Sequence, residues 1–340
     1  MNAEPASDAV AVHVDSAALH EAAAAIEAAT SIVMACHINP DGDALGSMIA
    51  LGVAIRLRYP DKVITMLSRD GVPDIYRFLP LVDQVQTHTD RRDFDLAVVL
   101  DSGDLKRVGH EIVPVIQSAR VQMDIDHHIG EGSFGSVRLI SSRSAATAEI
   151  VFDLVDFMGA PITPDIARCL LTGIITDTGS FRFMNVTPRT LRVAASLIEA
   201  GASPALIAER VFDNRGFEST HLMGVALASL EHTPDGKITW AAISRAAFEQ
   251  THTTDEDTEG LINFVRSVRG TRISLLFREV KPNVIRISLR CTQEFDVAAI
   301  AGRFGGGGHK LASGCSFHGP LAAAIEAIVS ACGAAVAAVG

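Results

Sequence analysis

Short apolar segments alternate with stretches of helical spacing along the first half of the chain. Residues 31–36, 95–100 and 121–125 are apolar enough to form buried strands, and residues 62–68 have the pattern of a further strand. Helical patterns separate them at residues 16–29, with Ser16 as the expected cap, and at 44–58 and 145–158. Such alternation predicts an α/β fold, in which a mostly parallel sheet has helices on both faces.

The pattern changes in the second half of the chain. Residues 188–230 have helical spacing and are rich in alanine and leucine, whereas residues 238–243, 273–280 and 284–290 have the composition of strands. We therefore predict three regions, which are an α/β domain at residues 1–187, a helical connector at 188–234 and a smaller α+β domain at 235–340.

Length and composition are those of a globular protein with two hydrophobic cores. The chain has 340 residues, of which 48% are hydrophobic and 20% charged. Its net charge of −11 disfavours tight binding of long duplex DNA, because such binding neutralises many phosphates. The stretch from Arg266 to Lys310 nevertheless holds nine basic and three acidic residues. This local charge suits either a short anionic ligand or a solvated strand face.

The cysteines and the residues near the two ends of the chain indicate the cellular compartment of the protein. Five cysteines without a C-x-x-C pair predict reduced thiols and a cytoplasmic protein. Residues 1–17 lack the basic start and apolar core of a signal peptide. The apolar tail 321–340 is interrupted by Glu326 and has no basic flank, so we expect a packed terminal helix and no membrane association. Helices within 188–230 are a candidate homodimer contact.

Four clusters of carboxylates and imidazoles lie where apolar runs end. Ligands from the carboxyl ends of parallel strands meet at one edge of a sheet. We therefore expect four strand-like segments to bring together the following side chains: His37, Asp41 and Asp43 after the first run, Asp101 after the second, Asp126, His127 and His128 after the third, and Asp177 after the fourth.

These residue types suit a pair of hard divalent cations. The spacing H-x3-D-x-D permits His37 and Asp41 to meet one ion while Asp43 faces a second. Asp101 could bridge both ions, and His127 and Asp177 would complete the second site. Carboxylates with some imidazole favour Mn²⁺, with Mg²⁺ as the alternative. Two such ions clamp a phosphoryl group and activate a water, so the reaction needs no serine or cysteine nucleophile.

The motifs H-x-N-P-D-G-D-A, D-S-G-D, D-H-H and T-D-T-G-S-F resemble the metal-binding motifs of the DHH phosphoesterase superfamily. The resemblance implies that Asp126 orients His127 without binding metal. It also implies that His128 lies beside the scissile phosphate as a hydrogen-bond donor or general acid, which makes His128 and Asp101 the expected catalytic residues. The implied metal ligands are His37, Asp41, Asp43, Asp101, His127 and Asp177.

A glycine-rich segment in the last third of the chain resembles the signature of DHHA1 domains. Four consecutive glycines precede His309 and Lys310, and Leu311-Ala-Ser-Gly314 follows. Backbone N–H groups of such a run can converge on an anion without obstruction by a Cβ atom. The resemblance implies that a phosphate of the substrate is bound by Gly306, Gly307, Gly308 and His309, with Arg290 of Ser288-Leu-Arg290 as a second contact.

A DHH domain followed directly by a DHHA1 domain resembles the nanoRNase/pAp phosphatase type. It implies a Mn²⁺-dependent phosphoesterase that degrades short RNA, linear dinucleotides such as pApA, or pAp, releasing 5′-mononucleotides or phosphate. A cyclic-dinucleotide phosphodiesterase and an enzyme restricted to pAp remain alternatives. An inactive nucleotide-binding module is a third, although the complete set of ligand residues disfavours it.

Overall fold

The computed structural model describes residues 14–128 and 134–339, and the chain divides into two units at residues 214 and 215. In the first unit, apolar runs form strands and the amphipathic stretches between them form helices. The strands are β1 (Ser31–Cys36), β2 (Val63–Leu67), β3 (Val85–Gln86), β4 (Leu96–Leu100), β5 (Val121–Asp126) and β6 (Val137–Ile140). The helices are α1 (Ser16–Ala28), α2 (Gly42–Arg58), α3 (Val113–Ser118), α4 (Thr147–Phe157), α5 (Pro164–Asp177), α6 (Pro188–Glu199) and α7 (Pro204–Val211).

All strand pairs of the first sheet are parallel, in the order β3-β2-β1-β4-β5-β6. The chain builds the sheet outward from β1 to one side and from β4 to the other. A change of direction of this kind leaves a crevice at the carboxyl ends of the two central strands, which is where open α/β sheets bind ligands.

Alternate residues of β1 enter two different cores. Ile32, Met34 and Cys36 lie in the core that contains residues of α2, α4 and α5. Val33 and Ala35 lie in a second core with Val115 and Ile116 of α3. Both faces of the sheet are therefore covered, and the α/β prediction with helices on both faces is confirmed.

The residue that caps α1 is Asp15 and not the predicted Ser16. Asp15 is the N-cap of α1, and its side chain accepts a hydrogen bond from the backbone of Ala17. Ser16 is the first helical residue. The prediction of Ser16 as the cap was wrong because aspartate and serine cap helices about equally well, and two such residues stand side by side.

The second unit combines a mixed sheet with short helices. Its strand order is β11-β12-β10-β9-β8-β7, in which β8 and β9 are parallel and the other pairs antiparallel. Its helices are α8 (Phe217–Ala228), α9 (Arg245–Thr251), α10 (Leu261–Arg266), α11 (Val297–Gly302) and α12 (Leu321–Val339). Its strands are β7 (Glu231–His232), β8 (Ile238–Ile243), β9 (Ile273–Lys281), β10 (Val284–Cys291), β11 (Gly307–His309) and β12 (Ala312–His318).

The helices of the predicted connector fall into different units. Helices α6 and α7 belong to the first unit, and Val193 and Leu197 of α6 are buried in its main core. Helix α8 belongs to the second unit, where Leu222 and Ala226 are buried. The boundary at 214 and 215 therefore lies within the predicted region 188–234.

The terminal helix α12 is long and apolar enough to cross a membrane by length and composition alone. Its window Leu321–Ala338 has a mean hydropathy of 2.0, and 28% of that window is buried. Ala324, Ile328 and Cys332 lie in the core of the second unit. The helix thus packs one stripe of its surface against the mixed sheet, and a packed helix of a globular protein passes the same test.

Candidate metal centre

The carboxyl ends of three neighbouring strands lie in register. Cys36 of β1 pairs with Leu100 of β4, and Leu100 pairs with Ile125 of β5. The residues that follow this row are His37, Asp101 and Asp126. Because parallel strands in register end at one edge of the sheet, the prediction that these segments meet follows directly from the strand pairing.

The turn between β1 and α2 places two more carboxylates at this edge. Asp41 is the N-cap of α2, and one of its oxygens accepts hydrogen bonds from the backbone N–H groups of Asp43 and Ala44 at 3.0 Å each. Its other oxygen lies 3.8 Å from Nε2 of His37. Asp43 follows in the first helical turn and is fully buried. Helix capping therefore aims both carboxylates at the same place.

Asp177 reaches the cluster from a helix and not from a strand. It is the last residue of α5, so the expectation of a fourth strand end was wrong. A short apolar run such as Ile174-Ile175 does not distinguish a buried strand from a buried helix. The approach depends on Gly173, because a Cβ atom there would lie 2.6 Å from Oδ1 of Asp43.

The imidazole and carboxylate atoms form two groups that share Asp101. In the first, Nε2 of His37 lies 3.6 Å from Oδ2 of Asp101. In the second, Nε2 of His127 lies 3.5 Å from Oδ1 of Asp101 and 3.4 Å from Oδ2 of Asp177. Groups of three ligand atoms within 4.8 Å of one another are His37 with Asp41 and Asp101, Asp43 with His127 and Asp177, and Asp101 with His127 and His128.

The start of α4 donates hydrogen bonds to the buried carboxylates of Asp43 and Asp101, a role that the sequence did not reveal. The backbone N–H groups of Thr147 and Ala148 donate to Asp43 at 2.6 and 2.9 Å. The hydroxyl of Thr147 donates to Oδ1 of Asp101 at 3.0 Å, and that of Ser47 donates to Asp43 at 3.1 Å. The only signal in the sequence was a threonine at the start of a predicted helix, which by itself indicates a cap.

The charges of the centre favour a bound cation. Burial raises the pKa of Asp43 well above its usual range, and the nearby Asp101 and Asp41 raise it further. Burial also raises the pKa of Asp177 well above its usual range, against the opposing effect of His127. Buried carboxylates that repel one another are stabilised in their charged form by a positive ion among them. The donor set therefore fits hard divalent cations.

His37 is oriented for ligation through one nitrogen. Its Nδ1 lies 2.8 Å from the carbonyl oxygen of Ile38, which fixes the proton on Nδ1 and leaves the lone pair on Nε2. Nε2 is the atom that faces Asp41 and Asp101. A hydrogen bond from the other ring nitrogen to a carbonyl is the usual arrangement for a histidine that binds metal.

Asp126 contacts the ring of His128 and not that of His127. Its Oδ1 lies 2.6 Å from Nδ1 of His128 and accepts a hydrogen bond from the backbone N–H of His127 at 2.9 Å. Burial lowers the pKa of His128, but the hydrogen bond to Asp126 and the nearby Asp101 raise it by more, so its net pKa is raised. Asp126 was expected to orient the ring of His127, but it accepts a hydrogen bond from the backbone N–H of His127 instead.

In the second unit, the glycine-rich segment is an edge strand. Gly307, Gly308 and His309 form β11 and pair with β12. A Cβ atom on Gly306 would lie 2.2 Å from the carbonyl oxygen of Gly314, so this glycine permits the close approach of the two strands. A Cβ atom on Gly307 would meet nothing within 4 Å. The side chain of His309, a predicted phosphate contact, lies outside the described part of the structure.

Arg290 lies near the end of β10, on the sheet face that also carries Ser288. Its Nη1 donates to the carbonyl oxygen of Leu289 at 2.9 Å, and the side chain is half-buried. Burial lowers the pKa of its guanidinium, which Glu259 partly opposes. A partly desolvated guanidinium is a strong partner for a phosphate.

Comparison with known proteins identifies the class of this chain. The model of the DHH family N-terminal domain matches residues 31–174, and that of the DHHA1 domain matches residues 236–338. The bifunctional oligoribonuclease and PAP phosphatase NrnA of Thermus thermophilus is 34% identical over 289 residues, which are 85% of this chain and 84% of that protein. NrnA of Bacillus subtilis is 27% identical over 85% of this chain and 90% of that protein. The chain belongs to the DHH/DHHA1 phosphoesterase family, among the NrnA-type hydrolases.

Solved structures agree with this fold. The crystal structure of an exopolyphosphatase-related protein from Bacteroides fragilis has a TM-score of 0.88 and 25% identity, and the match covers 94% of this chain and 96% of that one. RecJ of Thermus thermophilus has a TM-score of 0.56 and 14% identity, and the match covers 93% of this chain but 55% of RecJ. RecJ thus shares the fold and contains additional chain.

Proposed function

We propose that this protein hydrolyses short oligoribonucleotides and pAp, with linear dinucleotides such as pApA among its substrates. The observation that carries the proposal is the pair of ligand groups that share Asp101. The substrate class is supported by relatives of this protein that are named as bifunctional oligoribonucleases and PAP phosphatases. The products would be 5′-mononucleotides from RNA and inorganic phosphate from pAp.

We propose Mn²⁺ as the cofactor, with Mg²⁺ as a weaker substitute. One ion would be held by His37, Asp41 and Asp101, and the other by Asp43, Asp101, His127 and Asp177. Imidazole nitrogens among carboxylates favour Mn²⁺ over Mg²⁺, which prefers oxygen ligands. A pair of such ions would polarise the phosphoryl group and supply an activated water.

The chain's own residues would orient the substrate and move a proton. His128 keeps a raised pKa through its contact with Asp126 and is therefore suited to donate a proton to the leaving oxygen. In the second unit, Arg290 and the backbone N–H groups of Gly306, Gly307 and Gly308 would hold a second phosphate, with His309 as a further contact. Binding of a phosphate other than the one that is hydrolysed would favour short substrates over long ones.

Turnover of a substrate panel tests the proposal directly. Rates on pAp, pApA, a five-residue RNA and a cyclic dinucleotide would be compared with Mn²⁺, with Mg²⁺ and with excess EDTA. We expect hydrolysis of the three linear substrates with Mn²⁺ and none with EDTA. Preferred hydrolysis of the cyclic substrate would support a cyclic-dinucleotide phosphodiesterase. Binding of pAp without hydrolysis of any substrate would instead indicate a nucleotide-binding module.

We also propose a cytoplasmic location and a homodimer. All five cysteines are free and buried, which suits a reducing compartment. Helix α6 exposes Leu191 and Ile198, whose side chains are candidates for a contact between two copies. Light scattering of the purified protein tests this assembly, and a monomeric mass at micromolar concentration would contradict it.

A further inference from the structure

One face of the second unit's sheet carries a row of polar side chains across three strands. Arg278 of β9 pairs with Arg286 of β10, and Arg286 pairs with Ser316 of β12. The two arginines are therefore directly opposite each other on neighbouring antiparallel strands. Like charges in such a pair repel each other, so the row needs a compensating anion.

A single carboxylate of this unit bridges the two arginines. Oδ1 of Asp255 accepts a hydrogen bond from Arg278 at 2.9 Å, and Oδ2 accepts one from Arg286 at 2.7 Å. Arg278 is largely buried and also donates to the hydroxyl of Ser288 at 2.9 Å. Arg286 is 59% exposed. Glu259 is a second acidic group that acts on Arg278. Arg286 shares its carboxylate partner with Arg278, so a positively charged group with further N–H donors lies at the exposed end of the row.

This charge faces an open cavity inside the second unit. The cavity has a volume of about 480 Å³, and its lining includes Arg286, Ser288, Gly306, Ser316 and His318. Sites of a few hundred Å³ accommodate small ligands. Hydroxyl and imidazole groups beside an exposed guanidinium are donors for a phosphate.

Arg290 is not among the residues that line this cavity, although Gly306 of the glycine-rich segment is. Arg286 and Arg290 point to the same sheet face but lie four residues apart on β10, which is roughly 13 Å at the rise of an extended strand. In the structure the two guanidinium groups have different partners, Asp255 for Arg286 and the carbonyl oxygen of Leu289 for Arg290, so each is placed to bind a phosphate of its own. Two phosphates of one flexible nucleotide chain can occupy the two positions.

We propose that this cavity is a second phosphate-binding subsite, in which Arg286 binds a phosphate of an oligonucleotide other than the one bound at Arg290. This inference rests on the proposed function and adds a means of measuring substrate length. A five-residue RNA has enough phosphates to occupy both positions, whereas pAp has two phosphates and none is left for the second position once one is at the metal centre and the other at Arg290. The subsite therefore contributes affinity only for the longer substrates.

The variant Arg286→Gln tests the subsite through the dependence on substrate length. We expect KM for a five-residue RNA to rise roughly tenfold, the effect of losing a charge-assisted hydrogen bond, while kcat and both constants for pAp change little. The dependence of log KM on log salt for the RNA should become shallower by about 0.7, the contribution of one phosphate contact on a single strand. Arg286→Lys should show an intermediate rise in KM.

The matched control is Arg272→Gln. Arg272 is also a half-exposed arginine with one carboxylate partner, Glu294, but it does not line the cavity. It should leave the salt dependence unchanged. Thermal unfolding of each variant separates a loss of the subsite from a loss of the Asp255 contact. Equal effects of Arg286→Gln on RNA and pAp, or none on either, would overturn the inference.

A binding measurement keeps this test independent of turnover. Affinity for a labelled five-residue RNA would be measured by fluorescence anisotropy with Asp101→Asn and with Asp101→Asn combined with Arg286→Gln. Weaker binding by the combined variant supports the subsite even if the wild-type protein hydrolyses no RNA, in which case only the proposed function fails. Equal binding by the two proteins overturns the subsite while leaving the function intact.

Discussion

The buried carboxylate centre of the first unit and the polar sheet face of the second unit hold their charged groups in different ways. Asp43 is fully buried and accepts hydrogen bonds from two backbone N–H groups and a serine hydroxyl. Arg286 is 59% exposed and has one carboxylate partner among the described residues. The first arrangement restrains a short carboxylate through several hydrogen bonds, whereas the second leaves a long side chain free to adjust.

This difference matches two different tasks. A pair of cations demands ligand atoms at fixed distances, because coordination geometry tolerates little displacement. Recognition of a flexible phosphate chain demands charge and reach, which an exposed arginine on a strand provides. We therefore expect substitutions in the first unit to abolish chemistry and those in the second to alter affinity and its dependence on length.

The largest effect is expected for Asp101→Ala. Its two oxygens face the two ligand groups separately, so removing them should disable both metal positions at once. Turnover of pAp with Mn²⁺ should fall by at least about a thousandfold, which is typical for loss of an essential catalytic group. Calorimetric titration with Mn²⁺ should show the loss of bound metal, whereas the melting temperatures of the metal-free variant and the metal-free wild type should differ little.

The exposed Asp74 provides the matched control, since it pairs only with Arg77 on the surface among the described residues. Asp74→Ala should leave turnover and metal binding unchanged. Substantial activity retained by Asp101→Ala would contradict its assignment as the shared ligand.

A smaller effect is expected for Thr147→Val, which keeps the shape of the side chain and removes its hydroxyl. Asp101 then loses the hydrogen bond that orients its Oδ1. Loss of such a supporting contact typically lowers metal affinity or activity by about ten- to a hundredfold. Thr147→Ser keeps the hydroxyl and should retain Mn²⁺ affinity within a few-fold. If the valine variant binds Mn²⁺ as the wild type does, α4 does not position the centre.

The smallest effects are expected for two neighbouring glycines of the second unit. Gly306→Ala forces β11 away from β12, because its Cβ atom would lie 2.2 Å from a backbone oxygen, and should cost about 1–3 kcal/mol of unfolding free energy. Gly307→Ala places its methyl group in open space and should change stability by less than about 0.5 kcal/mol. Denaturant unfolding measures both. Equal losses would show that the hairpin does not need this close approach.

Much of the centre could be predicted because several of its residues directly follow strands that are neighbours in the sheet. His37 and Asp101 follow apolar runs whose pairing in a parallel sheet is a general rule, so their meeting did not depend on details of packing. Asp177 could be selected as a candidate but not placed, since a helix and a strand look alike over a short apolar run. The hydrogen bond of Asp126 to His128, and not to the ring of His127, depends on side-chain rotation after β5.

Sequence reasoning missed Thr147 for a different reason. It lies 46 residues from Asp101 along the chain, and the bond between them forms only because α4 packs beside the sheet. In the second unit, the four glycines indicated an anion-binding loop, but two of them, Gly306 and Gly308, leave room for the close approach of β12. A run of glycines indicates that side chains are excluded there, but it does not indicate whether a ligand or a neighbouring strand excludes them.

By itself, the sequence determined the parallel α/β architecture, the edge of the sheet that carries the chemistry and the class of ligand atoms found there. These follow from local periodicity and from the way parallel strands align. The tertiary structure alone decided which oxygen of Asp101 faces which imidazole, how α4 and α5 close around Asp43, and which carboxylate bridges Arg278 and Arg286. Those relations depend on packing between distant segments, whose free energy is spread over many contacts and leaves no local pattern.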